Sequence, residues 1–308
     1  MNTIFVSPSY ACNERCLFCP CHREARRYKP IPTHNILASI AEACRRDKLE
    51  MVLISGGEPT LYPGLPAIMQ AAKGHGLKVG LLSNSLRFAD DTFCSHFLQE
   101  VGYEFELTTA FHSHIPEEHD RITGVEGSFE RSLRGVQNME RHGVKTTIKH
   151  VVNGISHSHL PDFAEWVNAT FPPCVDWVLC HIDICGEAHE NGSQTGVAFA
   201  QSRPYLEQAL DVMERFGRRR VSVFNTPLCC VDPYFWSYLH RYESEEHMSA
   251  LLLPREDDQP PAIQYDLQGD GGANFAPCQE CIVRHICPGT WRRTAEYYGD
   301  TMFHPFKG

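Results

Sequence analysis

The sequence contains no uninterrupted apolar run of about 18 residues, the length that a membrane-crossing helix needs. Its start, MNTIFVSPSYACNERC, lacks the basic segment followed by an apolar one that marks a secretory signal. The chain also has no net positive charge: its 308 residues include 28 Lys and Arg and 38 Asp and Glu, which gives a net charge of −10. These absences predict a cytoplasmic protein with no membrane segment. They also argue against duplex nucleic acid as the main partner, since phosphate binding needs a basic face.

Cysteine, in contrast, is abundant, with 14 in the chain. Without an export signal these thiols are expected to stay reduced, so metal ligation or catalysis explains them better than disulfides do. Nine of them crowd into three places: Cys12, Cys16, Cys19 and Cys21; Cys229 and Cys230; and Cys278, Cys281 and Cys287. The other five lie in apolar periodic segments and are predicted to be small core side chains: Cys44, Cys94, Cys174, Cys180 and Cys185.

Apolar runs typical of strands alternate with segments of helical spacing from residue 3 to about residue 225. The predicted strands are Thr3–Pro8, Glu50–Ser55, Leu77–Ser83, Tyr103–Ala110, Val144–Asn153, Val175–Ile184 and Val221–Asn225. Helical spacing marks five segments, at 36–43, 65–72, 129–139, 160–167 and 206–213. This alternation predicts an α/β fold with parallel strands, either a partial (β/α)6 TIM-like barrel or a doubly wound sheet. Both architectures bind ligands at the carboxyl ends of the strands.

The alternation is expected to stop after about residue 226. Residues 254–276 are rich in Pro, Gly, Asp and Gln, which is typical of an irregular loop or linker. We therefore predict two domains, a barrel over residues 1–225 and a small, irregular, cysteine-rich extension over residues 226–308.

Three cysteines directly follow the first predicted strand. Cys12, Cys16 and Cys19 form a C-x3-C-x2-C pattern, so three thiolates can converge on one metal centre. Structural zinc sites take four ligands, whereas three thiolates suit an iron–sulfur cluster with one iron left open. A zinc site completed by Cys21 or His22 is the alternative.

A glycine-rich segment, Ser55–Thr60 (SGGEPT), ends the second predicted strand. Two glycines allow the backbone to approach a ligand closely. Alone, the segment could equally be a turn with a surface glutamate.

Together, CNERCLFC at residues 12–19 and SGGEPTLYP at residues 55–63 resemble the radical S-adenosylmethionine (SAM) superfamily. The resemblance implies that Cys12, Cys16 and Cys19 hold a [4Fe-4S] cluster whose fourth iron binds the amino acid part of SAM. It places Gly56, Gly57 and Glu58 at the methionyl ammonium, and Ser83 and Asn84 at the ribose or carboxylate.

A further segment, HDRITG followed by GSF at residues 119–129, resembles the peptide-modifying branch of that superfamily. Thr123 stands where the branch has arginine, so a role tied to that arginine does not carry over. Asn153 and the segment 186–188 (GEA) also fit, and the resemblance covers residues 3–225.

The C-terminal cysteines form C-x2-C-x5-C over Cys278, Cys281 and Cys287. They resemble the auxiliary-cluster extension called SPASM or its short form, Twitch. Trp291 stands where the full form has a further cysteine, so the resemblance implies one auxiliary cluster, of the [4Fe-4S] type, with Cys229 rather than Cys230 as fourth ligand. Spacing alone does not separate it from a zinc site made by the same four thiols.

Polar side chains near the predicted strand ends are candidates for proton transfer. We single out Lys149, His112 and Asp183 as catalytic candidates, with His114 and His150 nearby in sequence. Each of them could equally be a solvated or structural polar group.

The resemblance implies an enzyme that cleaves SAM reductively to a 5′-deoxyadenosyl radical, which takes a hydrogen atom from the substrate. An auxiliary cluster would accept the second electron, and a flavodoxin or ferredoxin would donate the first. We expect oxidation or crosslinking of a peptide or protein side chain. The alternative substrate is a small metabolite or cofactor precursor. A non-catalytic metal-binding protein and a tRNA-modifying enzyme are less favoured. Since the chain begins at the first strand, we expect no leader-binding domain before it and consider a separate peptide-recognition protein.

Overall fold

One parallel sheet of eight strands organises the chain in the computed structural model, which describes residues 2–46, 48–172, 175–217, 220–240, 249–254 and 275–308. The strands are β1 (Thr3–Val6), β2 (Met51–Ile54), β3 (Lys78–Leu82), β4 (Glu106–Ala110), β5 (Lys145–Val152), β6 (Asp176–His181), β7 (Val221–Phe224) and β8 (Ser249–Leu252). Their spatial order is β7-β6-β5-β4-β3-β2-β1-β8, so β7 and β8 form the two edges. The carboxyl ends of all eight strands therefore lie at one rim.

Helices connect the strands and cover one face of the sheet. They are α1 (Thr33–Arg46), α2 (Leu65–Gly74), α3 (Asp91–Val101), α4 (Pro116–Thr123), α5 (Ser128–Arg141), α6 (Leu160–Thr170), α7 (Glu187–Glu190), α8 (Gly192–Thr195), α9 (Phe199–Phe216) and α10 (Arg292–Tyr298). None of the helices within the described ranges is long and apolar enough to cross a membrane.

Alternation along the strands decides which side chains meet the helices. In β5 and β6 every second residue is buried, and Ile148, Val152, Trp177 and Leu179 pack with residues of α6 and α9. Successive strand residues point to opposite faces, so the half-buried residues between them, including Lys149, lie on the inner face of the sheet. That inner face and the carboxyl rim are the positions where a ligand can reach the sheet.

The fold class predicted from the sequence is confirmed, because the sheet is parallel and all seven predicted strands lie within their predicted ranges. All five predicted helical segments are helices, and five further helices were not predicted: α3, α4, α7, α8 and α10. The expectation that the alternation ends after residue 226 is wrong for β8, which pairs in parallel with β1. This strand is a four-residue segment, SALL, too short to show periodicity beside a Pro-rich segment. The domain boundary after residue 225 stays a prediction.

The five cysteines predicted to be core residues have mixed outcomes. Cys94 is buried, as predicted. Cys44, Cys180 and Cys185 are only half-buried, and Cys174 lies outside the described residues.

Candidate metal and SAM site

The loop between β1 and α1 carries the three N-terminal cysteines; we call residues 7–22 the cysteine loop. Its middle is fixed to the end of α4, because the N–H of Arg15 donates to the carbonyl oxygen of Thr123 at 2.8 Å. The N–H of Leu17 donates in the same way to Ile122 at 2.9 Å. The backbone around Cys12, Cys16 and Cys19 is therefore held at the carboxyl rim of the sheet without any help from the thiols.

The predicted SAM-binding glycines lie directly against this loop. The N–H groups of Gly57 and Glu58 donate to the carbonyl oxygens of Ser9 and Ala11, at 2.9 and 2.8 Å. A β-carbon on Gly57 would lie 2.2 Å from the Ala11 oxygen, so only glycine allows this approach. The sequence predicts a close approach to a ligand, and the structure has a close approach to the cysteine loop.

The Glu58 side chain is buried and connects the ends of β2 and β3. Its Oε1 accepts hydrogen bonds from the Ser83 hydroxyl at 2.8 Å and from the N–H and hydroxyl of Thr60; its Oε2 accepts from the Asn84 N–H at 2.8 Å. Three of the four donors bond to Oε1 and one bonds to Oε2, so Oε2 can accept a further hydrogen bond. Burial raises the pKa of Glu58, and these hydrogen bonds oppose that rise. The carboxylate thus positions the glycine segment. A contact between Glu58 and SAM stays a prediction.

Two residues between the cysteines, Asn13 and Glu14, extend this network. The Asn13 Oδ1 accepts from the Asn84 Nδ2 at 2.7 Å. Glu14 is buried, and its pKa is raised to about 7, first by burial and then by the charge of Glu58. The sequence analysis missed both residues, because a C-x3-C pattern leaves the intervening positions unspecified and nothing in the sequence marks Glu14 as buried.

The electrostatics of the thiols fit a metal centre. Burial raises the pKa of Cys12 to about 12, and burial followed by the charge of Glu14 raises that of Cys16 well above its usual value. Thiolates in such a place need a cation, which a metal centre supplies. In the described ranges no three His, Cys, Asp or Glu side chains are arranged around a single metal ion. Three thiols on one loop are the donor type of a [4Fe-4S] cluster, and their role as its ligands stays a prediction.

Cys21, the alternative fourth ligand, lies close to this site. Its Sγ is 3.9 Å from that of Cys19 and donates to the Gly56 carbonyl oxygen at 3.6 Å. The thiol of Cys21 lowers the pKa of Cys19 to about 7.

The GEA segment also contacts the cysteine loop. The N–H of Glu187 donates to the Cys19 carbonyl oxygen at 3.0 Å, and the Glu187 carboxylate forms an ion pair with Arg23 at 2.7 Å. Gly186 has a φ of +53°, and a β-carbon there would lie 2.7 Å from the Pro20 oxygen. The segment that follows β6 thus supports the loop at Cys19 and Pro20.

Side chains of the HDRITG segment hold the turn that connects α4 to α5. Asp120 accepts hydrogen bonds from the N–H groups of Gly127 and Phe129 and from the Ser128 hydroxyl. Partial burial would raise the pKa of Asp120, but these three donors outweigh it and lower the pKa. Thr123, in the arginine position, is buried and shares a hydrogen bond with the Ser128 hydroxyl at 2.6 Å. The segment therefore fixes α4, which in turn holds the cysteine loop.

The three catalytic candidates lie in different settings. Lys149 is half-buried on the inner face of the sheet. His112 is buried with its ring 4.8 Å from that of Phe18, and burial lowers its pKa well below the usual value, so it packs as a neutral ring. The Asp183 carboxylate accepts from the Thr294 hydroxyl at 3.3 Å, between the sheet and α10. Only Lys149 has the position expected for a residue facing a substrate, and all three roles stay predictions.

The four C-terminal candidate ligands come together. Cys229, Cys278, Cys281 and Cys287 line one small cavity of about 20 Å³. The rest of the wall is mostly apolar: Pro227, Leu228, Val283, Arg284, Gly289, Phe303 and Pro305. Cys230 is not in this wall, since its thiol donates to the Met302 carbonyl oxygen at 3.7 Å. Cys229 therefore lines the cavity and Cys230 does not, although their Sγ atoms lie 3.9 Å apart, and the role of Cys229 as a ligand stays a prediction.

The donor chemistry of this second site also fits a metal centre. Burial raises the pKa of Cys278 and of Cys287, whereas the neighbouring Cys230 thiol, 3.9 Å away, lowers the pKa of Cys229 to about 6. The Cys287 Sγ accepts from the N–H groups of Leu228 and Gly289, both at 3.4 Å. Four thiols around an apolar cavity match the donor set of an iron–sulfur cluster or of zinc.

Comparison with known proteins decides the family. Residues 6–167, which carry the cysteine loop and the glycine segment, match the Radical SAM superfamily. The chain belongs to the radical SAM superfamily. Members of this superfamily are enzymes, and their cofactors are a [4Fe-4S] cluster and SAM. The alternative of a non-catalytic metal-binding protein loses its support.

Curated relatives of this radical SAM protein differ in their reactions. Fe-coproporphyrin III synthase of Methanosarcina barkeri is 28% identical over 79% of this chain and 59% of its own length. A probable GTP 3′,8-cyclase of Thermococcus kodakarensis is 27% identical over 54% of this chain and 52% of its own length. The chain thus spans between half and three fifths of these relatives.

Solved structures share its fold. Streptococcus suis SuiB bound to S-adenosylmethionine covers 99% of this chain and 76% of its own, with a TM-score of 0.68 at 14% identity. Native anSMEcpe with bound AdoMet and Cp18Cys peptide covers 72% and 62%, with a TM-score of 0.58 at 15% identity. At these identities the likeness concerns the fold alone.

Proposed function

We propose that the protein uses SAM to oxidise or crosslink a peptide or protein side chain and passes an electron to one auxiliary [4Fe-4S] cluster in a Twitch-like extension. When bound, the first cluster and SAM supply reductive cleavage of SAM, which yields methionine and a 5′-deoxyadenosyl radical that takes a hydrogen atom from the substrate. An external one-electron donor of the flavodoxin or ferredoxin class provides the reducing electron.

The chain's own part in this reaction is positioning. The cysteine loop is held from three sides, by α4, by the glycine segment and by Gly186–Glu187. Glu58 fixes the glycine segment against Ser83 and Asn84, where the resemblance puts SAM. Phe18 is buried beside His112 and excludes water from the loop's inner side. A reactive radical needs such a closed, fixed site to avoid side reactions.

The proposal of an auxiliary cluster is supported by the cavity that Cys229, Cys278, Cys281 and Cys287 line together. Four thiols supply one ligand to each iron of a [4Fe-4S] cluster, so no iron is left open for substrate. Such a cluster suits electron transfer, which removes the second electron of a net oxidation.

A peptide substrate is supported by the HDRITG–GSF segment and by the shared fold with SuiB, which has also been solved bound to precursor peptide SuiA. A second candidate, a tetrapyrrole or another small cofactor precursor, is favoured by Fe-coproporphyrin III synthase as a relative over 79% of the chain. The two candidates differ in substrate size and share the same two clusters.

The test uses the anaerobically reconstituted protein with SAM and a reductant. A short peptide encoded beside the gene and a tetrapyrrole precursor of Fe-coproporphyrin III are offered separately, and products are analysed by mass spectrometry. We expect the peptide to lose two hydrogen atoms while 5′-deoxyadenosine accumulates. Conversion of the tetrapyrrole precursor with an unchanged peptide would replace the first candidate by the second. Four irons plus one zinc, instead of about eight irons, would contradict the auxiliary cluster.

A further inference from the structure

Lys149 lies in the middle of the inner face of the sheet. The pairing register of β4 to β7 places it in a row of half-buried, inward-facing residues: Ala110, Lys149, Val178 and Ser222. The next row toward the carboxyl rim is formed in the same way: Val151, Cys180 and Phe224. Lys149 is therefore the only charged side chain in these two rows.

The ammonium group of Lys149 has no carboxylate partner among the residues that the structure describes. Cations at the amino ends of neighbouring strands do have one, since Lys145 pairs with Glu106 at 2.7 Å. Arg220 likewise pairs with Asp176 at 3.4 Å. A half-buried ammonium group loses hydration, and a counter-ion offsets that loss. The position of Lys149 therefore favours a ligand that carries negative charge.

His112 is a close neighbour of Lys149. Burial lowers the pKa of His112 first, followed by the neighbouring His119 and His150 and then by the Lys149 ammonium group. The ring is therefore neutral and carries one N–H group. The residue is 5% exposed, and its Nδ1 has no hydrogen-bond partner within the described ranges. Buried polar atoms are nearly always paired, so this one indicates a partner that the chain itself does not supply.

The His112 ring connects this pair of side chains to the cysteine loop. Its centre lies 4.8 Å from that of the Phe18 ring, and Phe18 directly precedes Cys19, a proposed ligand of the first cluster. A substrate group held by Lys149 and His112 would therefore lie on the inner side of the cysteine loop. The proposed 5′-deoxyadenosyl radical would form beside the same loop.

We propose that Lys149 and His112 together bind a carboxylate group of the substrate. One carboxylate oxygen accepts a hydrogen bond from the Lys149 ammonium group, and the other accepts from the Nδ1–H of neutral His112. The identity of the substrate rests on the proposed function: a peptide would offer an acidic side chain or its C-terminus, and a tetrapyrrole would offer a propionate. No covalent bond forms or breaks at this site, which orients the substrate.

Competitive acetylation tests the site without turnover. Reconstituted wild-type protein is treated with a trace of acetic anhydride, at equal ionic strength, alone or with glutarate or its uncharged equivalent glutaramide, and acetylation of each lysine is measured by mass spectrometry. We expect glutarate to slow acetylation of Lys149 by about threefold or more and glutaramide to have no effect. Lys145, already paired with Glu106, is the reference and should react equally in all three samples. Equally fast acetylation of Lys149 with and without glutarate would overturn the site.

The dissociation constant of the substrate identifies the source of the carboxylate. The peptide encoded beside the gene and the tetrapyrrole precursor are titrated into protein loaded with clusters and SAM, without reductant, as acids and as the corresponding amides. For the acid that binds, we expect Lys149→Met to raise the Kd by about tenfold or more and Lys149→Arg to raise it less. The amide should bind wild type and Lys149→Met equally, and Lys145→Met, the matched control, should leave the Kd unchanged.

Two further outcomes separate this site from the proposed function. An equal loss of affinity for acid and amide in Lys149→Met would show that Lys149 only packs against the substrate, and it would overturn the carboxylate site alone. Protection of Lys149 by glutarate in a protein that binds neither the peptide nor the tetrapyrrole would support the site and contradict both substrate candidates.

Discussion

The carbonyl oxygen of Cys19 accepts a hydrogen bond from the N–H of Glu187 at 3.0 Å, so a proposed cluster ligand is held by the segment that follows β6. Gly186 makes this contact possible, because a β-carbon there would lie 2.7 Å from the Pro20 oxygen and 2.8 Å from that of Cys19. The ligand loop is thus shaped by chain more than 160 residues away in sequence.

Gly186→Ala should displace the cysteine loop and prevent assembly of the first cluster. We expect iron to fall by about half after reconstitution, from about eight to about four, while the auxiliary cluster is retained. Gly143→Ala is the control: Gly143 also has a positive φ, +77°, but no heavy atom within 4 Å of the added carbon. Equal iron loss in both variants would attribute the effect to backbone strain instead of the contact with the loop.

The variants Cys229→Ser and Cys230→Ser should differ in iron content, which shows which of the two adjacent thiols is a cluster ligand. Cys229 lines the auxiliary cavity, whereas Cys230 faces the Met302 carbonyl oxygen. We expect Cys229→Ser to lose the auxiliary cluster, about four irons, and Cys230→Ser to keep it. Iron and sulfide analysis measures the difference, and the opposite pattern would assign the ligand to Cys230.

Asp120→Ala should destabilise the protein through the turn that it holds. Three donors, on Gly127, Ser128 and Phe129, lose their acceptor. We expect a loss of about 1–3 kcal/mol in the free energy of unfolding, measured by urea denaturation. Asp162→Asn, at an exposed position in α6, is the control and should change this free energy little. A stability equal to that of wild type would show that Asp120 is not the anchor of this turn.

Buried histidines should make the protein less stable in mild acid. Burial lowers the pKa of His119 to about 4 and that of His150 to about 3, from the ordinary value of 6.5. Between pH 6.5 and about 4 the unfolded chain binds protons that the folded chain does not, so stability falls as pH falls. Each histidine contributes about 1.4 kcal/mol per pH unit in this window.

Urea denaturation at several pH values measures how steeply the free energy of unfolding depends on pH. His119→Asn should make this dependence shallower, because the variant lacks one group that titrates on unfolding. His96→Asn, on the exposed side of α3, should leave it unchanged. A slope unaffected by His119→Asn would contradict the role of that burial.

Much of the fold is predictable from the sequence, because its strands and helices differ clearly in apolar periodicity. β5 and β6 alternate strictly, and α5 repeats its buried residues at helical spacing. β8 escapes this reasoning, since four residues show no period and its pairing with β1 is set by long-range contacts. The spacing of Cys12, Cys16 and Cys19 also predicts a shared metal centre, and this assignment stays a prediction.

The environment of the site was less predictable. No local signal shows that Glu14 is buried beside Glu58, or that the Glu58 carboxylate accepts hydrogen bonds from Ser83, Thr60 and Asn84. Both facts depend on how three loops meet at the rim of the sheet. His112, a proton-transfer candidate for its place after β4, packs against Phe18 and His119, and its catalytic role stays a prediction.

The most direct test of the account is electron paramagnetic resonance of the reduced, anaerobically reconstituted protein, recorded with and without SAM. The auxiliary ligand variant Cys229→Ser isolates the first cluster, and Cys16→Ala removes it. We predict that SAM changes the g values of the reduced cluster in Cys229→Ser and that Cys16→Ala shows neither this change nor formation of 5′-deoxyadenosine. A spectrum of Cys229→Ser that is identical with and without SAM would contradict a cluster on Cys12, Cys16 and Cys19 with one iron open to SAM.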